Sequence, residues 1–244
     1  MFLRVPREKG LVVVYLFFVL ASLFSIHTYS FFGFIVLLEV ILAFFYSENL
    51  HNKILLVKNI KNPLFMLLIF LFVLTVAYGF YVIYDFIYVA LMFILVSCIY
   101  IYLVYTKGNK SIASRISGIV VISFIYIFIY TSFELNLQFL LFYYYMLYLM
   151  IVIVMFLYVE LSIHYNTILY FITITINAFS YLFVYLAYKN NLLFFLIFSF
   201  LLIAPLILYV ILLNKVKIKK RGMISMLYLL AILFTILTFN VFYV

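Results

Sequence analysis

Two short stretches of the sequence each pair a glutamate with a histidine one helical turn apart. "FYSENLH" contains Glu48 and His51, and "YVELSIH" contains Glu160 and His164. Separations of three or four residues place each pair on one face if the helix continues that far. Carboxylate and imidazole groups are ligands of divalent ions, so a metal-bound diphosphate is one reading of the pattern. Ordinary helix ends in water, which often carry such residues, are the simpler reading.

Basic residues lie between the two pairs in the sequence, in the stretch "TKGNKSIASR". Cationic side chains there would suit phosphate oxygens or lipid headgroups. The candidates for this contact are Lys107, Lys110 and Arg115. The candidate metal ligands are Glu48, Glu160 and His164. No catalytic residue is assigned, and the residues alone firmly imply no cofactor.

One carboxyl group lies in the middle of an apolar run. Glu39 follows seven mostly apolar residues in "FGFIVLLEVILAFF" and precedes six more apolar residues. A carboxylate there is costly unless it is paired, hydrated or protonated. We consider two interpretations: a proton or cation site in the wall of a polar cavity, or a protonated glutamate bonded to a Tyr or Ser of a neighbouring helix.

Asn177 is the second polar candidate in an apolar segment. Thr173 precedes it by four residues and Ser180 follows it by three, which predicts a polar stripe on one helix face. Interhelical hydrogen bonding is the favoured role of such a stripe. Lining a solute path is the alternative role.

The composition indicates that the chain lies in a lipid bilayer. Of its 244 residues, 72% are hydrophobic and 9% are charged, whereas soluble domains carry about 25% charged residues. Apolar runs of roughly 17–25 residues recur, the length that a helix needs to cross a bilayer. The sequence therefore predicts an all-α, polytopic transmembrane bundle in one integral domain, 1–244. The single cysteine, Cys98, excludes an internal disulfide.

Polar breaks divide the chain into about nine predicted membrane helices. Their spans are 10–26, 31–46, 63–83, 85–105, 116–133, 138–160, 167–187, 192–213 and 222–243. Numbering the loops alternately puts all of the 15 basic residues except Lys189 on the side of the N-terminus. By the positive-inside rule this side is the cytoplasm, so the C-terminus lies outside. We expect a multi-pass protein of the cytoplasmic (plasma) membrane.

The net charge of +9 points to lipid rather than to nucleic acid. The basic residues sit in short loops at predicted membrane ends, where they orient helices and attract anionic headgroups. Membrane lipids are thus the expected partners, and no nucleic acid is expected.

The segment "VPREKG" before the first helix resembles the start of the YwiC-like family of polytopic membrane proteins. Pro6, Arg7, Glu8 and Gly10 fit its pattern, while Lys9 stands where the family has histidine. The family's aromatic residue after the glycine is also missing. The "KIKKRG" loop before the last helix looks similar to the family's C-terminal end. This resemblance implies a membrane protein without a named activity.

The layout is more distantly similar to that of the UbiA prenyltransferase superfamily. Those enzymes also have nine helices with the N-terminus inside, and their acidic motifs follow helices 2 and 6, where Glu48 and Glu160 lie here. The resemblance implies Mg²⁺-bound prenyl diphosphate as substrate. The family's two Asp-rich clusters are absent, however, because Asp85 is the only aspartate.

The sequence therefore favours a YwiC-like membrane protein with a polar, cytoplasm-facing cavity for a lipid, a prenyl-type ligand or another amphiphile. A divergent UbiA-like prenyltransferase that uses Mg²⁺ is the first alternative. A small-solute transporter, with Glu39 as its coupling carboxyl, is the second. A structural subunit of a membrane complex is the third.

Overall fold

A computed structural model describes residues 9–50, 63–83, 86–108, 111–135, 139–163, 167–208 and 218–243. Within these ranges the chain forms nine α-helices and no strand. The helices are α1 (Lys9–Phe24), α2 (Phe31–Leu50), α3 (Pro63–Val82), α4 (Phe86–Lys107), α5 (Ile112–Glu134), α6 (Phe139–Ile163), α7 (Thr167–Tyr188), α8 (Leu192–Leu208) and α9 (Ile218–Tyr243). The all-α prediction with about nine helices is confirmed.

Most helix ends fall within a few residues of the predicted ones, and the differences have local causes. Helix α5 begins at Ile112, four residues before the predicted start, because Ser111 caps it. The Ser111 hydroxyl accepts the backbone N–H of Ser114 at 3.2 Å, which satisfies one of the free amides of the first turn. The predicted end of α8, residue 213, lies outside the described residues.

Four of the described helical segments are long and apolar enough to cross a membrane. They are Phe86–Lys107, Ile112–Glu134, Leu141–Leu161 and Thr167–Tyr188. Five shorter apolar helices accompany them in the described part of the chain. The structure therefore supports membrane association, in line with the composition.

The chain divides into two compact units, Met1–Leu137 and Gln138–Val244. In the first unit α5 packs against α1, α2 and α4, so it is the central helix. Edge-to-face ring pairs join three helices there: Phe86 of α4 lies 5.8 Å from Phe32 of α2 and 5.5 Å from Phe128 of α5 between ring centroids. This geometry is favourable for aromatic side chains and joins the three helices.

In the second unit α6 packs against α7, α8 and α9, and α7 also packs against α8. Three helices meet at Tyr188, whose ring stacks on Phe198 at 4.6 Å and meets Phe239 edge-on at 5.1 Å. The second unit thus has an aromatic cluster of its own.

A polar clamp closes the turn between α1 and α2 in the first unit. The Glu134 carboxylate, in the last turn of α5, accepts the backbone N–H groups of His27 and Thr28. It also accepts the Thr28 hydroxyl at 2.9 Å. The Ser30 hydroxyl donates to the Ser132 carbonyl and accepts the Gly33 N–H at 2.9 Å, which caps α2. A single carboxylate therefore holds the short connection onto the end of α5.

A close contact next to the clamp requires a glycine at one position of α2. A Cβ added at Gly33 would lie 2.3 Å from the Phe133 ring. The Phe133 ring in turn meets those of Tyr29 and Phe34 edge-on. Only glycine allows α2 to approach the end of α5 this closely.

We predict that Glu134→Ala lowers the free energy of unfolding by about 1–2 kcal/mol, because two turn amides lose their acceptor. Titrating the purified protein with SDS in mixed micelles measures the change. Glu134→Gln keeps one acceptor oxygen and should lose less. Equal unfolding curves for wild type and the alanine variant would contradict the clamp.

Candidate functional site

Glu39 lies in the middle of α2 and is half-buried. Its carboxylate accepts a hydrogen bond from the Thr75 hydroxyl of α3, and the Thr75 side chain is buried. The sequence interpretation named Tyr or Ser as the partner, and the structure supplies a threonine hydroxyl instead. A carboxyl group amid apolar side chains is thus joined to one polar group of a neighbouring helix.

A second side chain contacts α2 at the same level. The hydroxyl of Tyr15, a buried residue of α1, donates to the Val40 carbonyl, directly after Glu39. Hydrogen bonds to α1 and α3 therefore fix the backbone and the carboxyl of this turn of α2. Such bonds restrict the helix to one rotation about its axis, which keeps Glu39 beside Thr75.

Thr173 and Asn177 lie on the buried face of α7, as the predicted stripe requires. The Thr173 hydroxyl donates to the Leu169 carbonyl of its own helix at 2.7 Å, and Ser180 does the same to Ile176 at 2.9 Å. Asn177 differs from both, because its Nδ2 donates to the Leu202 carbonyl of α8 at 3.3 Å. It is the member of the stripe that forms an interhelical bond.

Helix α8 contains Pro205, and the polar contacts to α8 cluster around it. Proline has no N–H, so the carbonyl four residues earlier, that of Leu201, loses its helical donor. The Tyr228 hydroxyl of α9 donates to this carbonyl at 2.6 Å. Two residues earlier, the Tyr181 hydroxyl of α7 donates to the Ser199 carbonyl at 3.2 Å. We call Asn177, Tyr181, Tyr228 and the α8 turns 199–205 the proline junction.

The proline junction satisfies the carbonyl that Pro205 leaves free, but not every polar atom near it. Asn177 Oδ1 and Ser199 Oγ are buried and have no hydrogen-bond partner among the described residues. Buried polar atoms are nearly always bonded, so each such atom requires an explanation. The junction thus contains two buried polar atoms that no described residue satisfies.

The basic candidates lie at the connection between α4 and α5. Lys107 ends α4 and is exposed, and Arg115 is exposed in the second turn of α5. Gly108, between the two helices, has a φ of 80°, which allows the chain to reverse there. Lys110 lies outside the described residues.

The candidate metal ligands are only partly described. Glu160 is buried near the end of α6, with 7% of its surface exposed, rather than solvated as at an ordinary helix end. The Glu48 side chain and His164 lie outside the described residues. Within the described part of the chain, no group of three His, Cys, Asp or Glu side chains could hold a metal ion. The metal site stays a prediction.

The chain was compared with known proteins at both the sequence and the structure level. No protein-family model, no curated protein and no solved structure matches it. The site must therefore be interpreted from its own geometry.

Two parts of the site were missed from the sequence. Thr75 is one hydroxyl within "FLFVLTVAY", and many such hydroxyls bond only to their own helix. Pro205 in "LLIAPLIL" was the available signal for the proline junction, since a proline inside a helix frees a carbonyl. The partner of that carbonyl, Tyr228, had no sequence signal because the chain contains 25 tyrosines.

We predict that the cost of Tyr228→Phe depends on Pro205. In wild type the substitution strips the Leu201 carbonyl of its donor and should cost about 1–3 kcal/mol of unfolding free energy. In a Pro205→Ala background the restored backbone N–H replaces the phenol, and the cost should fall to about 0.5 kcal/mol or less. SDS titration of the four proteins measures the cycle. An equal cost in both backgrounds would refute the compensation.

Proposed function

We propose that the protein is a multi-pass protein of the cytoplasmic membrane, with its N-terminus inside and its C-terminus outside. Four helices long enough to cross a bilayer and the placement of all basic residues but Lys189 on one side support this topology. The resemblance to the YwiC-like family fits a membrane protein of this kind and adds no activity.

Within that topology we propose that the protein carries a small solute across the membrane together with a proton, and that protons also cross through it when the solute is absent. The observation that carries the proposal is the Glu39–Thr75 pair in the middle of two apolar helices. Ionisable groups at membrane depth are rare and expensive, and they mark ion and proton pathways. A purely structural role would be served at lower cost by an apolar side chain.

The pair suits proton exchange because a hydroxyl can bond to either form of a carboxyl. Thr75 donates to the charged carboxylate and can rotate to accept the proton of the neutral acid. The hydrogen bond is therefore present for both the charged and the neutral carboxyl. It offsets part of the cost of placing either form among apolar side chains. Uptake of the proton removes the charge before Glu39 changes its exposure, and release restores it.

The test is proton movement through proteoliposomes. Purified protein is reconstituted with a pH-sensitive dye inside, and valinomycin with a potassium gradient sets an inside-negative potential. Wild type should acidify the lumen faster than empty liposomes do. The Glu39→Gln variant should acidify it at the empty-liposome rate, because an amide side chain takes up no proton near neutral pH. Thr75→Val should reduce the rate, since the carboxyl loses its hydrogen-bond partner.

Thr106→Val is the matched control for the threonine change. Thr106 is exposed on α4, and within the described part of the chain its hydroxyl bonds only to the Tyr102 carbonyl of its own helix. It should leave the proton rate unchanged. A wild-type rate equal to that of empty liposomes, or a Glu39→Gln rate equal to wild type, would reject proton coupling.

A polar cavity that binds an amphiphile is the second candidate function, and the burial of Glu160 favours it. The residue lies near the end of α6 that the topology places in the cytoplasm. A carboxyl group in the helix interior near that end is placed to contact the polar headgroup of a ligand in a cavity. Under this proposal the ligand is a lipid or a prenyl-type amphiphile, and Mg²⁺ enters only if the ligand is a diphosphate.

Native mass spectrometry tests this candidate with a panel of phospholipids and prenyl diphosphates, each with and without Mg²⁺. We expect wild type to retain one amphiphile and Glu160→Gln to lose it, while the matched change Glu39→Gln retains it. Diphosphate release in the Mg²⁺ arm would indicate the prenyltransferase alternative. Equal retention by wild type and Glu160→Gln would eliminate Glu160 as a ligand contact.

A further inference from the structure

The proline junction contains two buried side-chain oxygens that have no hydrogen-bond partner among the described residues. They are Asn177 Oδ1 and Ser199 Oγ, and the Asn177 side chain is only 8% exposed. The side chains of Asn177, Tyr181 and Tyr228 each donate to a carbonyl of α8. An amide oxygen only accepts. Asn177 Oδ1 therefore needs a donor or a cation that the described residues do not supply.

The unpaired oxygens lie on facing turns of two helices. Asn177 and Tyr181 are one turn apart on α7, and Ser199 and Leu202 are one turn apart on α8. The two bonds across the interface hold these turns against each other.

The orientation of the amide is set by chemistry. The Leu202 carbonyl accepts only, so the amide nitrogen must face it and the amide oxygen must point away from that bond. The Tyr228 oxygen, whose proton goes to Leu201, keeps lone pairs that can also serve as a ligand. The phenols of Tyr181 and Tyr158 lie near enough to interact electrostatically with that of Tyr228. The region is therefore rich in neutral oxygen.

Neutral oxygens select one class of ligand. Main-chain carbonyls, amides and hydroxyls replace the water shell of monovalent ions, and broken helices in membranes supply them. Divalent ions instead favour carboxylates, which offset their charge. A single water molecule is the rival occupant, since it needs two to four polar partners.

We propose that the proline junction binds a monovalent cation, Na⁺, K⁺ or NH₄⁺, through Asn177 Oδ1 and oxygens of the adjacent α8 turns. Pro205 lies beside the site and frees the Leu201 carbonyl, which accepts the Tyr228 hydroxyl of α9. The bound ion joins α7 to α8 beside the break. The site shares no residue with the Glu39–Thr75 pair, so either proposal can fail without the other.

The experiment measures the melting temperature of the purified protein in detergent at constant ionic strength. Choline chloride is replaced stepwise by NaCl, KCl or NH₄Cl. We expect a saturable rise with at least one of the three ions, of about 3–6 °C at ten times its dissociation constant. The ion that acts at the lowest concentration identifies the preferred occupant.

Three variants locate the effect. Asn177→Leu removes the oxygen and should abolish the rise, while Thr175→Val, an exposed change on the same helix, should preserve it. Asn177→Asp keeps an oxygen, adds a charge, and should shift the half-maximal concentration downward. This variant provides a test if the leucine variant does not fold.

A wild-type melting temperature that is the same in all four salts would overturn the proposal and leave water as the occupant. A rise that survives Asn177→Leu would place the ion elsewhere and overturn it too. An unchanged half-maximal concentration in Asn177→Asp would count against Asn177 as a ligand. A change in proton flux in Glu39→Gln has no bearing on any of these outcomes.

Discussion

Every backbone N–H and C=O group that leaves water must find a hydrogen-bond partner, and this requirement explains the positions of important polar side chains in the chain. Within a helix the backbone groups bond to one another, except at the helix ends and at proline. In the first unit, the free amides of the α1–α2 turn are taken by Glu134. In the second unit, the carbonyl freed by Pro205 is taken by Tyr228. In both units a polar side chain thus pairs with backbone groups that their own helix does not satisfy.

Glu39 and Asn177 differ from these side chains, because each has a polar group that does not satisfy a free backbone group. The Glu39 carboxylate accepts a hydroxyl and repairs no broken helix. Asn177 donates to α8, and its oxygen has no hydrogen-bond partner among the described residues. Side chains that repair the backbone can be interpreted structurally, whereas these two are the residues on which the proposed proton and cation sites are based. The two residues belong to different compact units, and each has its own helix partners.

The sequence predicts the helices well because length and hydropathy determine them. Nine predicted spans match nine helices of the described chain, and the early start of α5 follows from one cap, Ser111. The polar stripe of α7 was also predictable, since a period of three to four residues is visible without a structure. Partners were not predictable, because pairing of Glu39 with Thr75 depends on which helices are neighbours and how each is rotated. Composition carries no such information in a chain with so many hydroxyls.

The clamp at Glu134 also has a consequence for biogenesis. The carboxylate lies more than a hundred positions after the amides that it accepts, with a sequence separation of 107 to His27. At about 5–20 residues per second, translation reaches Glu134 roughly 5–20 s after the α1–α2 turn has been made. During that interval the turn amides have only water as a partner. The α1–α2 hairpin can therefore form its final hydrogen bonds only after α5 has been synthesised. The hairpin is made early in translation and completes its folding late.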